Sequence, residues 1–338
     1  MAGHLLDAVY TEPSKHPIPH GYLAVDFFYL LSGFVIGYAY DDRWISMSVI
    51  SFFKIRLIRL HPLVILGVAL GTLFFLIDPY NSASTSTSLL KLFITMLVGF
   101  TLLPVPDLRG YGETHSLDAP CWSLLQEYIA NVLYALIGRK LSMTWLSILV
   151  GTSAVVLILT AHRHGHLSSG WDYPRFWVGS VRMIFSFFAG LLLFRSGKLV
   201  KIPMTFSVCS IALISLFILP VFKFNGIYEA ACVIIAFPII LAAGAGGLVT
   251  GRWAFACRFS GALSYPIYIL HYPFLSIYVN WIRANHPADG YIAIVAILLF
   301  FFFIIIATIA LRYYDETIRR WLKAIPGTQQ KRIVSTKS

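Results

Sequence analysis

An all-α polytopic membrane protein is the fold class that this chain predicts, and three observations carry the prediction. Apolar runs of about 20 residues recur between residues 21 and 313, the length an α-helix needs to span the hydrocarbon of a bilayer. Hydrophobic residues make up 58% of the 338 residues and charged residues 12%, about half of the usual share in a soluble domain. The cations cluster in short turns between the runs and at the C-terminus, as membrane topology requires. No water reaches a lipid-immersed backbone, so such spans must close their hydrogen bonds internally, and helices do so. One membrane domain over residues 1–318 is expected, followed by a basic cytoplasmic tail over residues 319–338.

The net charge of +11 raises nucleic acid as a partner, but its scatter through short loops excludes a binding face of that kind. The bilayer is the partner expected instead. Cys121, Cys209, Cys232 and Cys257 lie in or beside apolar runs without metal-ligand spacing, so they read as packing residues and no metal is expected.

In chain order, residues 1–10 (MAGHLLDAVY) read as the tail of a truncated first helix, since a full span is about twice as long. A polar loop with three prolines and two histidines follows over 11–20. Apolar runs then cover 21–40, 54–77, 88–105, 121–138, 143–161, 176–194, 203–222, 227–248, 260–282 and 291–313. The turn carrying Arg43, Lys54, Arg56 and Arg59 is placed in the cytoplasm with the basic tail. The turns with Arg139 and Lys140, with Arg195, Lys198 and Lys201, and with Arg252 and Arg258 join them. These assignments conflict in parity if every run crosses. The weakest run is 88–105, opened by Ser88 and Lys91 and closed by Pro104 and Pro106, so it is expected to be re-entrant on the outer side. About ten crossings remain, the truncated first helix included.

Ionisable groups within apolar spans are costly and therefore mark sites by default; here they are His4, Asp26, Glu127, Arg182, Glu229 and His271. For Asp26, a structural acid paired with an arginine or a helix N-terminus stands level with a direct role in the site. Ser123 and Glu127 are four residues apart and share a helix face; capping or interhelical hydrogen bonding explains them without catalysis. Trp122 reads equally well as an interfacial anchor. Tyr265, Tyr268 and His271 share a span with Pro266 and Pro273, whose kinks suit the wall of a cavity; a helix-packing histidine is the ordinary reading of His271. Arg56 and Arg59 are three apart, so they also share a face. As positive-inside anchors they need no ligand, but two cations at the mouth of a span also suit phosphate. By position alone His4 is an ordinary N-terminal histidine.

Taken together, these residues resemble the acyltransferase-3 family of integral membrane acyltransferases. The resemblance is carried by Gly21, Asp26, Phe27, Phe28 and Ser32-Gly33-Phe34, then Arg56 and Arg59. It continues through Trp122-Ser123-Leu124 with Glu127, then Ser264-Tyr265, Tyr268, His271 and Pro273, and runs from His4 to Asp315-Glu316. Each piece is weak alone, and all four in order form a strong signal. The resemblance implies transfer of an acyl group, most often acetyl, from cytoplasmic acyl-CoA to a carbohydrate hydroxyl at the outer face. It assigns His4 as the catalytic histidine, a general base or a transient acyl carrier, and Arg56 and Arg59 as holders of the CoA phosphates. Asp26 or Glu127 would orient the imidazole, and Ser32, with its neighbours, would serve close helix approach. The implied location is the bacterial cytoplasmic membrane with the C-terminus inside. The family's basic residue about ten positions before the histidine would fall before Met1. Two other classes remain open on sequence grounds: a transporter or flippase of a lipid-linked sugar, though no inverted halves are visible, and a truncated inactive homologue.

Overall fold

The computed structural model describes residues 1–10 and 12–325. The basic tail is therefore seen only as far as Ile325, and residues 326–338 of the expected tail lie outside the described residues. The chain forms α1 (Ala2–Asp7), α2 (Ala24–Tyr40), α3 (Val49–Ile77), α4 (Ser82–Ser86), α5 (Leu89–Gly99), α6 (Cys121–Leu136) and α7 (Met143–His164). There follow α8 (Phe176–Ser196), α9 (Thr205–Ile218), α10 (Asn225–Ala231), α11 (Phe237–Gly246), α12 (Gly251–Asn285), α13 (Asp289–Ile309) and α14 (Glu316–Ala324). A π-helical turn at Cys232–Ala236 joins α10 to α11, and another at Ala310–Asp315 joins α13 to α14. Among the described residues the extended pairing is one isolated bridge between Glu113 and Asp172. Among the described residues, six segments are long and apolar enough to cross a membrane: Gly21–Arg43, Val49–Ile77, Met143–His164, Phe176–Ser196, Asn225–Gly246 and Asp289–Ala324. The fold is all-α and polytopic.

Serine caps open several spans where the first orphan N–H groups would otherwise meet lipid. Ser48 accepts from Ser51 N at α3, Ser88 from Lys91 N at α5, and Ser142 from Trp145 N at α7. At the centre, α2 and α8 press backbone to backbone. A Cβ on Gly33 would land on the carbonyl of Phe187, and one on Gly190 on the carbonyl of Leu30. Small residues allow this approach where lipid gives helices no hydrophobic reason to associate.

The helices run between two ends. At one, Asp41 after α2 accepts from Arg195 at 2.6 Å and from Tyr134 at 2.7 Å, and Arg139 stacks over Trp44 at 4.4 Å. α3 begins there, α6 and α8 finish there, and α14 returns to pack on α3. Arg319 of α14 comes within electrostatic reach of Arg59. The arginine pair and the C-terminal helix thus share an end, which removes the parity conflict. The reason is visible in α5. From the opposite end it dips to where Gly99 meets Val68 and the Phe100 backbone meets His61. The chain then climbs back until Arg109 lies over Phe75 at 5.2 Å and reaches Ser276. This segment enters and leaves at the same end.

The return loop is unusual in being buried. Thr114, His115, Ser116, Leu117 and Asp118 are all at most 3% exposed. Gly71 and Gly67 of α3 make the room, since a Cβ there would strike the Leu117 carbonyl or the Asp118 carboxylate. Irregular backbone at depth is tolerated where protein encloses it.

Candidate functional site

His4 and His271, 267 residues apart, meet with their rings stacked, centroids 5.1 Å apart and planes inclined by 22°. His4 Nδ1 lies 2.9 Å from His271 Nε2. The partners of His271 fix its tautomer. Its Nδ1 stands 3.0 Å from the Ile267 carbonyl and 2.9 Å from the Tyr268 carbonyl. Carbonyls only accept, so Nδ1 of His271 carries the hydrogen and its Nε2 holds a lone pair. His4 Nδ1–H therefore donates, and the lone pair of His4 is left on Nε2, which has no hydrogen-bond partner among the described residues. His271 is buried and His4 half-buried. Leu5 and Tyr278, both buried, and Ile292 pack beside them and hold α1 against α12 and α13.

Hydroxyls lock the surrounding helices. Ser123 is hydrogen-bonded to Tyr268 and donates to the Pro120 carbonyl at 3.1 Å, while Tyr29 donates to the Ser123 carbonyl at 3.1 Å. The start of α6 is so tied to α12 and α2. Tyr265 donates to the Leu60 carbonyl at 2.6 Å, and Tyr314 to the Pro62 carbonyl at 3.1 Å. The Leu60–Tyr265 contact sets the depth of the histidines. His271 lies six residues farther along α12, about 9 Å of helical rise beyond the level of Leu60.

On the other side of that level sit the arginines. Arg56 donates to Glu127 at 2.9 Å, and the same Glu127 oxygen accepts from Ser32 at 2.5 Å and from Asn131 at 3.4 Å. Nε of Arg56 is buried without a partner. Arg59 makes no hydrogen bond to a described residue and faces the like charges of Arg56 and Arg319. Arg319 itself is paired with Asp315, its Nε donating at 2.9 Å.

Asp26 takes the structural alternative. Both its oxygens accept from Arg182, Oδ2 at 2.6 Å from Nη2, in a pair that is wholly buried. Arg182 also donates to the carbonyls of Ser169 at 2.8 Å and Tyr22 at 3.1 Å, and it stacks on Trp122 at 5.7 Å. Bidentate pairing plus two carbonyls satisfies the guanidinium as burial demands. Glu229 is likewise a hub, accepting from His20, Tyr22, Asn225 and the Leu167 backbone. Neither Asp26 nor Glu127, the acids expected to orient His4, touches it: Asp26 is committed to Arg182 and Glu127 to Arg56 and Ser32, and the side chain hydrogen-bonded to His4 is that of His271.

Residues 1–313 match the family model described as an acyltransferase domain. The chain belongs to this acyltransferase-3 family. It is also similar to "Protein 2 in picA locus" of Rhizobium radiobacter, 32% identical over 149 residues, which are 41% of this chain and 78% of the relative. No solved structure matches. The protein is thus an acyltransferase of the membrane. Its structure gathers His4, His271, Tyr268 and Ser123 into one cluster and Arg56, Glu127, Ser32 and Arg59 into a second. Asp26 and Trp122 fall into a third, around Arg182.

Sequence reading missed the buried loop of this acyltransferase. Glu113 accepts from Tyr272, the neighbour of His271, at 2.6 Å, while its Oε2 is buried without a partner. Burial pushes its carboxyl up to about 7, against the Tyr272 hydrogen bond and the charges of Arg109 and Arg283. Asp118, also buried, holds one oxygen without a partner and accepts only from the Cys121 thiol at 3.4 Å. The available signal was a run of polar residues, Glu113 to Asp118, set directly before the Trp122 motif.

Proposed function

We propose that this acyltransferase moves an acyl group, acetyl being the simplest, from acyl-CoA to a hydroxyl of an exported or cell-surface carbohydrate. The observation that carries the reading is the tautomer of the histidine pair, which leaves His4 Nε2 as a base. CoA phosphates would lie against Arg59 and Arg56, where charge-assisted contacts suit them, with the thioester reaching past Leu60 toward His4. In direct transfer the sugar oxygen attacks the thioester carbonyl as His4 Nε2 takes its proton. The C–S bond then breaks, and the same proton passes to the leaving thiolate. In the two-step form Nε2 attacks first and the thiolate leaves; the sugar oxygen then takes the acyl group as the N–C bond breaks, and its proton passes to the freed Nε2 and on to the thiolate or water. In either form His271 Nε2 stabilises the positive charge on His4 by accepting its Nδ1–H, backed by two carbonyls.

The orientation that fits places the arginine end in the cytoplasm. Arg43, Lys54, Arg139, Lys140, Lys198 and Lys201 lie at that end, as positive-inside topology favours. The membrane proposed is a bacterial cytoplasmic membrane. The test is transfer from labelled acetyl-CoA in membranes carrying the protein with and without His4→Ala. General-base loss predicts a fall of about 10²- to 10⁴-fold. Full activity in the variant would remove His4 from the mechanism, and no CoA release with any acceptor would remove the reaction.

A further inference from the structure

At the end of the bundle opposite the arginine pair, a polar cavity of about 270 Å³ lies between the close of α3, the close of α12 and the loop at 109–111. Arg109, Arg283, Asn280, Asn81, Tyr80 and Tyr111 line it. Among the described residues neither guanidinium is hydrogen-bonded or ion-paired to an acid, though Glu113 feels the charge of both. Arg109 donates to the Ser116 carbonyl at 3.0 Å and to Ser276 at 3.4 Å, and Arg283 bonds and stacks on Tyr111, 4.8 Å from its centroid. The nearby acids are occupied by other donors. Asp78 accepts from Tyr80 N at 3.0 Å and from Asn280 at 2.7 Å, and Asp107 accepts from the backbone of Arg109, Gly110 and Gly112. Two cations with no ion pair among the described residues, two half-exposed tyrosines and two carboxamides surround one space. Such a lining suits a sugar ring that bears an anionic oxygen group.

Its place along the fold adds a second constraint. Asn280 and Arg283 stand nine and twelve residues beyond His271 on α12, about 14 and 18 Å of helical rise. A hydroxyl reacting at His4 cannot belong to a ring seated in this cavity. We infer that the cavity is an acceptor subsite for a distal, negatively charged sugar, and hence that the acceptor is an anionic glycan of several residues. This rests on the proposed transfer to carbohydrate. Arg109 links the subsite to the buried loop through Ser116, and Glu113 of that loop reaches Tyr272, beside His271.

The test is equilibrium binding, without acyl donor, to the full chain in nanodiscs of zwitterionic lipid. The probes are a galacturonic acid oligomer, a neutral galactose oligomer of equal length and the neutral oligomer carrying phosphate. Uronate and phosphate arms separate the two sources of charge. The charged oligomers should bind at least about tenfold tighter than the neutral one, the difference a charged hydrogen bond makes. Arg283→Gln should erase that preference, and Arg283→Lys should keep part of it. Equal binding of charged and neutral oligomers, or a preference that survives Arg283→Gln, overturns the subsite. Loss of the preference in discs containing anionic phospholipid also overturns it and marks a headgroup site. A parallel transfer assay separates the two readings. Selective binding with no acyl transfer defeats the proposed reaction alone, and transfer without selective binding defeats the subsite alone.

Discussion

His4 has the half of its ring that faces His271 committed, so in the proposed reaction its reactivity would depend on a neighbour that need not touch substrate. Replacing His271 with Ala frees the His4 ring to turn and to hold its hydrogen on either nitrogen. A misplacement of this kind is expected to lower kcat about 10²-fold. If acyl-CoA is bound at Arg56 and Arg59 as proposed, its KM should hold, since those arginines lie on the other side of the Leu60 level; steady-state kinetics on both variables checks this. Glu113 offers a pH signature. Its folded-state value, about 7, lies above the ordinary 4.5, so between those values the folded protein keeps a proton that the unfolded chain releases. Its contribution to stability is therefore intact at low pH and is lost as pH rises from about 4.5 through 7. Glu113→Gln should flatten the melting temperature over that window, and an unchanged pH profile of Tm would show that Glu113 does not titrate there.

Among the elements, the α2–α8 seam is the most exacting. Gly33→Ala must move one backbone away from the Phe187 carbonyl, an overpacking expected to cost about 1–3 kcal/mol and to lower the Tm in detergent. Gly151 and Gly261 meet nothing within 4 Å, so alanine at either should leave Tm unchanged. The dip of α5 was legible from Ser88, Lys91, Pro104 and Pro106, because charge and proline mark where a span is too weak to cross. The buried loop after it was not legible. Thr114, His115, Ser116 and Asp118 have the composition of a surface loop, and only the absent side chains at Gly67 and Gly71, on a different helix, allow them inside. His271 was visible as an intramembrane histidine, but its partner was not. Nothing local to residues 267–273 announces that residue 4 lies against them. Arg56 and Glu127 were each singled out, yet their ion pair links positions 71 residues apart and becomes plain only when α3 and α6 are placed together.

Across the whole molecule, the two ends gather different sets of residues: Arg56 and Arg59 with Arg319 near one, Arg109 and Arg283 at the other. Single cysteines at Ser46 and Lys223, both exposed and at opposite ends, should be labelled by an impermeant maleimide from opposite sides of sealed vesicles. A reporter fused after the last residue should respond with Ser46, because α14 packs on α3. Labelling of both cysteines from one side would overturn the two-ended reading.

The histidine pair also imposes an order in time. One imidazole leaves the ribosome 267 residues ahead of the other. At ordinary elongation speeds that interval is roughly 13 to 53 s. Throughout it the nascent enzyme already displays Arg56 and Arg59, yet it lacks the ring that aims His4. Under the proposed transfer from acyl-CoA, a half-made chain would be poorly equipped to consume the thioester. In the proposed mechanism, competence would arrive only once α12 has been inserted and has closed on α1.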